Sequence, residues 1–207
     1  MARSKSSGRW LKRHFDDHYV RRAQVEGWRG RAVYKLEEID AKEKLLRKGM
    51  KVLDLGAAPG AWSQFAMRRC GETGQVLGID LLPVDPMPGL TFIQGDIHAE
   101  TVYRQMRIVL GDRPADLVLS DMAPNMSGNK AVDQPRAMQL CDMALETARE
   151  LLAAGGDLVL KAFEGEGIEE LRRALRRHFT TLKSIKPKAS RPKSREIYLV
   201  ARNLECR

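Results

Sequence analysis

Between residues 32 and 201, short apolar runs alternate with stretches in which apolar residues recur every three or four positions, the pattern of a doubly wound α/β sheet. Strands are predicted at Lys51–Leu55, Gln75–Asp80, Leu90–Gln94, Ala115–Ser120, Gly156–Ala162, Thr181–Lys186 and Glu196–Ala201. Helices are predicted at Ala32–Leu45, Ala61–Cys70, Ala99–Leu110, Asp133–Ala153 and Gly167–Phe179, with Gly155-Gly156 stopping the fourth. Only the loop Pro187–Ser194 separates the last two strands, so they are expected to pair as an antiparallel hairpin at one end of a seven-stranded, mostly parallel sheet with helices on both faces. Residues 1–30 are too polar and too rich in Arg to make a core and are expected to form a basic arm, disordered or lightly docked. Residues 31–207 read as one domain.

Composition narrows the class. With 207 residues and 43% hydrophobic positions the chain can bury a core without disulfides or a metal. Cys70, Cys141 and Cys206 are an odd number without C-x-x-C spacing, which argues against a disulfide framework or a zinc site and fits the cytoplasm. His14, His18, His98 and His178 show no ligand spacing, so no metal is expected. No apolar run is long enough for a membrane helix and no export signal is visible, so no membrane partner is expected. A monomer is the default.

Charge adds more once it is divided. The net charge of +9 is the sum of +7 over residues 1–35, −6 over residues 36–167 and +8 over residues 168–207. Two basic ends around an acidic middle point to a polyanion, and nucleic acid is the commonest such partner.

The acidic middle carries the candidate chemistry. Val52-Leu53-Asp54-Leu55-Gly56-Ala57-Ala58-Pro59-Gly60-Ala61-Trp62 reads as a strand, a glycine-rich turn and a helix start, which lets a ligand approach the backbone and faces it with helix N-terminal amides. The two glycines are four apart with Pro59 between them, so the dinucleotide fingerprint fails. Asp80 closes the second strand, where a carboxylate can accept from both hydroxyls of a ribose, and Asp96 follows the third, placed to meet an adenine edge. Asp54, the Gly56–Gly60 turn, Asp80 and Asp96 at the carboxyl ends of three successive strands point to S-adenosyl-L-methionine. Its sulfonium and amino groups favour nearby carboxylates, and it has no pyrophosphate to cradle.

The segments Asp54-Leu55-Gly56-Ala57-Ala58-Pro59-Gly60-Ala61-Trp62-Ser63-Gln64, Ser120-Asp121-Met122-Ala123-Pro124-Asn125 and Leu160-Lys161-Ala162-Phe163 resemble the FtsJ-type ribosomal RNA 2′-O-methyltransferases over nearly the whole chain. The resemblance implies a Rossmann-like methyltransferase fold, with S-adenosyl-L-methionine held at Gly60, Trp62, Asp80, Asp96 and Asp121. It implies as acceptor the ribose 2′-hydroxyl of a uridine in large-subunit ribosomal RNA. It also implies a catalytic tetrad in the order Lys35, Asp121, Lys161, Glu196. Independently of it, a lysine inside the apolar run Leu158–Phe163 is an anomaly, because buried lysines are rare unless paired. Taken alone, Lys161 fits a strand-end lysine reaching solvent equally well, and Lys35 reads as a solvated helix face. In the tetrad Lys161 is the candidate base, desolvated and beside the positive charge of Lys35; Asp121 would orient it, and Glu196 would position Lys35 or the ribose.

Both basic blocks converge in sequence on these residues. Arg3, Lys5, Arg9, Lys12, Arg13, Arg21, Arg22, Arg29 and Arg31 lead to Lys35, while Lys186, Lys188, Arg191, Lys193 and Arg195 lead to Glu196, as a phosphate-tracking surface requires. Trp10 fits a base-stacking ring or a packing anchor, and Tyr198 and Phe163 read as core. The competing readings are ribose methylation of transfer RNA or another RNA, which would use the same tetrad, and a non-catalytic RNA-binding ribosome-assembly factor. A cytosine C5 enzyme lacks its nucleophilic Cys after Pro, and an exocyclic-amine enzyme lacks its stacking aromatic after Asp121.

Overall fold

The computed structural model describes residues 17–205. In chain order these form α1 (His18–Val25), α2 (Val33–Glu43), β1 (Lys51–Leu55), α3 (Ala61–Cys70), β2 (Gln75–Asp80), β3 (Leu90–Gln94), α4 (Glu100–Leu110), β4 (Ala115–Ser120), α5 (Lys130–Leu151), β5 (Leu152–Phe163), α6 (Ile168–Arg176), β6 (Phe179–Ile185) and β7 (Glu196–Leu204). The strands make one sheet in the order β3-β2-β1-β4-β5-β7-β6. The first five pair in parallel, whereas β7 runs antiparallel to β5 and to β6. The expected terminal hairpin is present, and β7 enters between its partner β6 and the parallel part of the sheet. The strand order reverses between β1 and β4, and such a switch point opens a crevice at the strands' carboxyl ends.

Strand alternation sorts the core into two layers. Val52, Leu117, Leu119, Val159 and Val200 pack with Leu36, Ile39, Phe65 and Ala66 of α2 and α3 on one face. Leu53, Leu55, Val118, Leu158, Leu160 and Leu199 pack with Met106, Ala144 and Leu175 of α4, α5 and α6 on the other. α4 buries the stripe its period prescribes, Val102, Met106 and Leu110.

Beside shifts of one to three residues at other element ends, three differences from the sequence expectation change the picture. Residues 17–30 are not a bare arm: α1 forms there, capped by the Asp17 side chain accepting from the Tyr19 amide at 3.0 Å, with Val20 and Ala23 buried. Residues 1–16, with Trp10 and the first five basic residues, lie outside the described part. Gly155 and Gly156 do not stop the fourth predicted helix. That helix (α5) ends at Leu151, the chain turns extended at Leu152, and the register between β4 and β5 slips so that Ala153–Gly156 bulge within β5, with Gly155 at φ 76°. The same helix starts at Lys130 rather than Asp133, because Asn129 caps it; the Asp133 carboxylate instead accepts from the Ser127 and Gly128 amides.

Candidate active site

The turn after β1 lies at the switch point. Gly56 has φ 76°, and a Cβ there would stand 2.7 Å from Met122 Cγ, so only glycine lets the chains following β1 and β4 pass this closely. The Gly56 and Ala57 amides donate to the Ile79 carbonyl, tying the turn to β2. Asp80, ending β2, accepts from the Ala58 amide at 2.9 Å and the Leu82 amide at 2.8 Å. Beside this turn opens a cavity of about 380 Å³, within the range of small-molecule sites, walled by Gly56, Asp80, Asp96, Asp121, Leu81 and Leu82 among others. Leu81 and Leu82 are 66% and 65% exposed, two adjacent apolar side chains on its lip.

Gly56, Asp80, Asp96 and Asp121 therefore meet in one wall, as expected; Asp54, Pro59, Gly60 and Trp62 do not belong to it. Asp54 is fully buried beneath the turn, where it accepts from Ser63 Oγ at 2.6 Å while its Oδ1 has no partner. Burial pushes its carboxyl up to about 7 against the pull of the Ser63 hydrogen bond, so the acid is largely protonated below neutral pH. Trp62 follows α3 into the core, where its Nε1 donates to the Ala32 carbonyl at 2.8 Å and its ring packs tilted against Tyr198, centroids 5.6 Å apart. Gly60 sits under the β2–β3 loop, with Arg29, Val84 and Met87 crowding its Cα.

The four expected catalytic residues are brought together as two ion pairs. Lys161 Nζ lies 3.1 Å from Asp121 Oδ1 and also donates to the Asp121 carbonyl; Lys35 Nζ lies 2.8 Å from Glu196 Oε1. Lys161 sits in the apolar middle of the sheet, 9% exposed, and is not a lysine reaching solvent. Tyr198 joins the pairs. Its hydroxyl donates to Asp121 Oδ1 at 2.6 Å, and Lys35 Nζ stands 5.6 Å over its ring. Burial, and then the Asp121 charge, raise the Tyr198 hydroxyl well above its ordinary value, so it stays a donor. Burial would raise the Asp121 carboxyl, but the Lys161 and Lys35 charges and the Tyr198 hydroxyl hold it below its ordinary value. Through Tyr198 the two pairs form a five-membered chain, Lys161–Asp121–Tyr198–Lys35–Glu196.

Tyr198, which the sequence reading placed only in the core, is the residue added to the four expected ones by its contacts. It is core, with no exposed surface, but a buried phenol needs a partner. Glu196 and Tyr198 are two apart on β7 and so share a face, a spacing that could have pointed to it.

Across the chain from the first cavity lies a second, of about 260 Å³, walled by Arg31, Ala32, Lys35, Arg191, Ser194 and Glu196. It is basic where the first is acidic. The β6–β7 loop forming one side is clamped to α2, because Glu38 accepts from the Lys188 and Ala189 amides and Arg31 donates to the Ala189 carbonyl. Ser190, in the same loop, donates to Glu196 Oε1 at 2.8 Å. Several arginines of the basic block are committed internally: Arg22 to Glu26, Arg31 to Asp17, Arg29 to carbonyls of the β2–β3 loop. The side chains of Lys188, Arg191 and Lys193 have no protein partner among the described residues. Among those residues no group of three or more His, Cys, Asp or Glu could hold a metal ion, and no helix is long and apolar enough to cross a membrane.

A doubly wound sheet with an antiparallel seventh strand, opening an acid-lined cavity at its switch point beside a buried lysine–carboxylate chain, is that of a Rossmann-like methyltransferase. The chain belongs to the FtsJ-like methyltransferase family, which it matches over residues 28–204. It is 54% identical over 202 residues to the ribosomal RNA large subunit methyltransferase E of Hydrogenovibrio crunogenus, and 52% identical over 202 residues to that of Pseudomonas aeruginosa, each match covering 98% of both chains. Among solved structures, a ribosomal RNA methyltransferase of Plasmodium falciparum superposes with a TM-score of 0.80 at 33% identity, covering 87% of this chain and 100% of that one. The fibrillarin of Aeropyrum pernix shares the fold at 17% identity and a TM-score of 0.57, over 82% of this chain and 75% of its own.

Proposed function

We propose that this chain transfers a methyl group from S-adenosyl-L-methionine to the ribose 2′-oxygen of a uridine in large-subunit ribosomal RNA, acting in the cytoplasm as a monomer on the assembled subunit. The observation that carries this reading is the chain Lys161–Asp121–Tyr198–Lys35–Glu196, which contributes Asp121 to the acidic cavity and Lys35 and Glu196 to the basic one. An acidic pocket suits a cationic cofactor and a basic pocket suits a polyanion. The wall between them is where the two would meet. Relatives above 50% identity that bear a ribosomal RNA name support the choice of substrate.

The residues present fit the cofactor. Each Asp80 oxygen accepts one backbone amide and keeps a lone pair for a ribose hydroxyl. Asp96, whose Oδ1 accepts from the His98 amide, and the exposed Leu81 and Leu82 would hold the adenine, the two leucines gaining an apolar cover from its ring. Asp121, on the same wall, would favour the positive charge of the cofactor. When bound, the cofactor supplies an electrophilic methyl on sulfur, ready for in-line attack by an oxygen nucleophile.

The protein's part is to place and deprotonate that nucleophile. Lys161 Nζ has three positions; Asp121 occupies two, leaving one for the ribose 2′-oxygen. Lys161 is placed to take the hydroxyl proton as the oxygen–carbon bond forms and the methyl–sulfur bond breaks to leave a neutral thioether, with Asp121 stabilising the resulting ammonium. Lys35, fixed by Glu196, holds the ribose from the other cavity, and Ser190 holds Glu196. Alignment of hydroxyl and methyl supplies much of the acceleration.

The test is to offer radiolabelled S-adenosyl-L-methionine with separated ribosomal subunits, free ribosomal RNA and transfer RNA, then map the labelled ribose. Label on one large-subunit uridine is expected. Label confined to transfer RNA would overturn the substrate, and label on a base would overturn the chemistry.

A further inference from the structure

The sequence counted Arg29 among the cations that meet RNA, but its guanidinium is bound elsewhere. It donates to the Asp85 carbonyl at 2.6 Å and the Pro86 carbonyl at 2.9 Å, with the Pro59 carbonyl 3.5 Å away. One planar side chain therefore joins the glycine-rich turn after β1 to the far end of the β2–β3 loop. The position of Arg29 is itself set from α3, where Gln64 accepts the Arg29 amide at 3.1 Å and donates to the Gly27 carbonyl at 3.0 Å. The three side chains crowding Gly60 are Arg29, Val84 and Met87, two of them from the same loop, so the loop lies directly over the turn. At its near end the loop carries Leu81 and Leu82, the exposed lip of the acidic cavity. Its sequence, Leu81-Leu82-Pro83-Val84-Asp85-Pro86-Met87-Pro88, forms no helix or strand. Among the described residues, the Arg29 bonds are the only side-chain hydrogen bonds reaching its far half.

We infer that Arg29 is a positioning residue for the cofactor cavity: it staples the β2–β3 loop over the glycine-rich turn and so presets the Leu81–Leu82 lip, and it does not contact RNA. This rests on the reading of that cavity as the S-adenosyl-L-methionine site. A loop held in the binding shape before the ligand arrives spares the ordering that binding would otherwise require. Lysine cannot replace the staple, because a single ammonium lacks the planar fork that reaches the Asp85 and Pro86 carbonyls together.

The experiment uses the full chain and two readouts. Calorimetric titration with S-adenosyl-L-methionine, without RNA, is expected to show affinity about tenfold weaker in Arg29→Ala and Arg29→Lys, with kcat at saturating cofactor within about twofold of the parent. RNA binding measured from low to moderate salt is expected to keep its slope, whereas a lost phosphate contact would lower that slope by about one. Pro86→Gly, which loosens the loop and leaves Arg29 in place, is expected to weaken cofactor binding in the same sense. Unchanged cofactor affinity in the Arg29 variants, or in Pro86→Gly, would overturn the staple, as would a reduced salt slope. Failure of the parent protein to bind S-adenosyl-L-methionine would instead overturn the reading of the cavity.

Discussion

Lys161 and Tyr198 are direct partners across the antiparallel seam between β5 and β7, and their polar ends meet on the same carboxylate, Asp121 Oδ1. The seam creates the site. A seventh strand inserted antiparallel beside β5 brings Glu196 and Tyr198 to the face that carries Lys161, while Asp121 arrives from the end of β4 at the switch point. Sheet register, more than loop shape, determines which groups touch.

Removal of Lys161 should therefore stop the chemistry and spare the cofactor. In Lys161→Ala the single-turnover rate is expected to fall by about 10² to 10⁴, the usual contribution of a general base. Calorimetric affinity for S-adenosyl-L-methionine should stay near the parent value, because Lys161 lines neither cavity. Methylation at the parent rate would refute its assignment as base.

Tyr198→Phe isolates the hydroxyl from the ring. The ring keeps its packing on Trp62, but Asp121 loses a donor, and a hydrogen bond to a charged group stabilises by about 1.5–3 kcal/mol. Asp121 is held below its ordinary value, so its carboxylate is present above that pKa and its stabilising contribution is lost as pH falls through it. Without the hydroxyl that pKa rises. The acid limb of the kcat profile should move to higher pH, and a profile that stays in place would detach Tyr198 from the site.

How much of this was legible in the sequence follows from the range of each interaction. The first four strands and the glycine turn are local patterns, and their predicted spans match the observed ones residue for residue. Lys161 was an anomaly within its own strand. What escaped was non-local or nearly patternless. α1 buries only Val20 and Ala23, too few to register as a period. The Gly155-Gly156 pair reads as a helix stop unless the slip against β4 is known. The partners of Arg29 and Arg31 lie across the fold, at Asp85, Pro86 and Ala189, so a count of basic residues overstated the cations free for RNA.

That recount makes a prediction about salt. Among the described residues, the side chains of Arg191 and Lys193 have no protein partner, whereas Arg22 is engaged by Glu26 and lies over the Tyr34 ring. Arg191→Ala and Lys193→Ala should each lower the salt slope of RNA binding by about one, and Arg22→Ala should leave it unchanged. Filter binding over a range of salt concentrations measures both. An equal loss in all three would mean that the internal pairs open on RNA.

The buried acid beneath the glycine turn has a separate signature in stability. Asp54 titrates near 3.8 when unfolded and at about 7 in the fold, chiefly through burial. Between those values the folded state holds a proton that the unfolded state has lost, so stability falls as pH rises from about 4 to about 7 and levels off beyond, by on the order of 4 kcal/mol at most. Asp54→Asn keeps an oxygen to accept from Ser63 Oγ and removes the charge. The difference in melting temperature between Asp54→Asn and the parent should therefore grow in favour of the variant across that interval and stay constant above it. A difference that does not change with pH would show that Asp54 is ionised throughout, and would require a donor for Oδ1 that the fold does not supply.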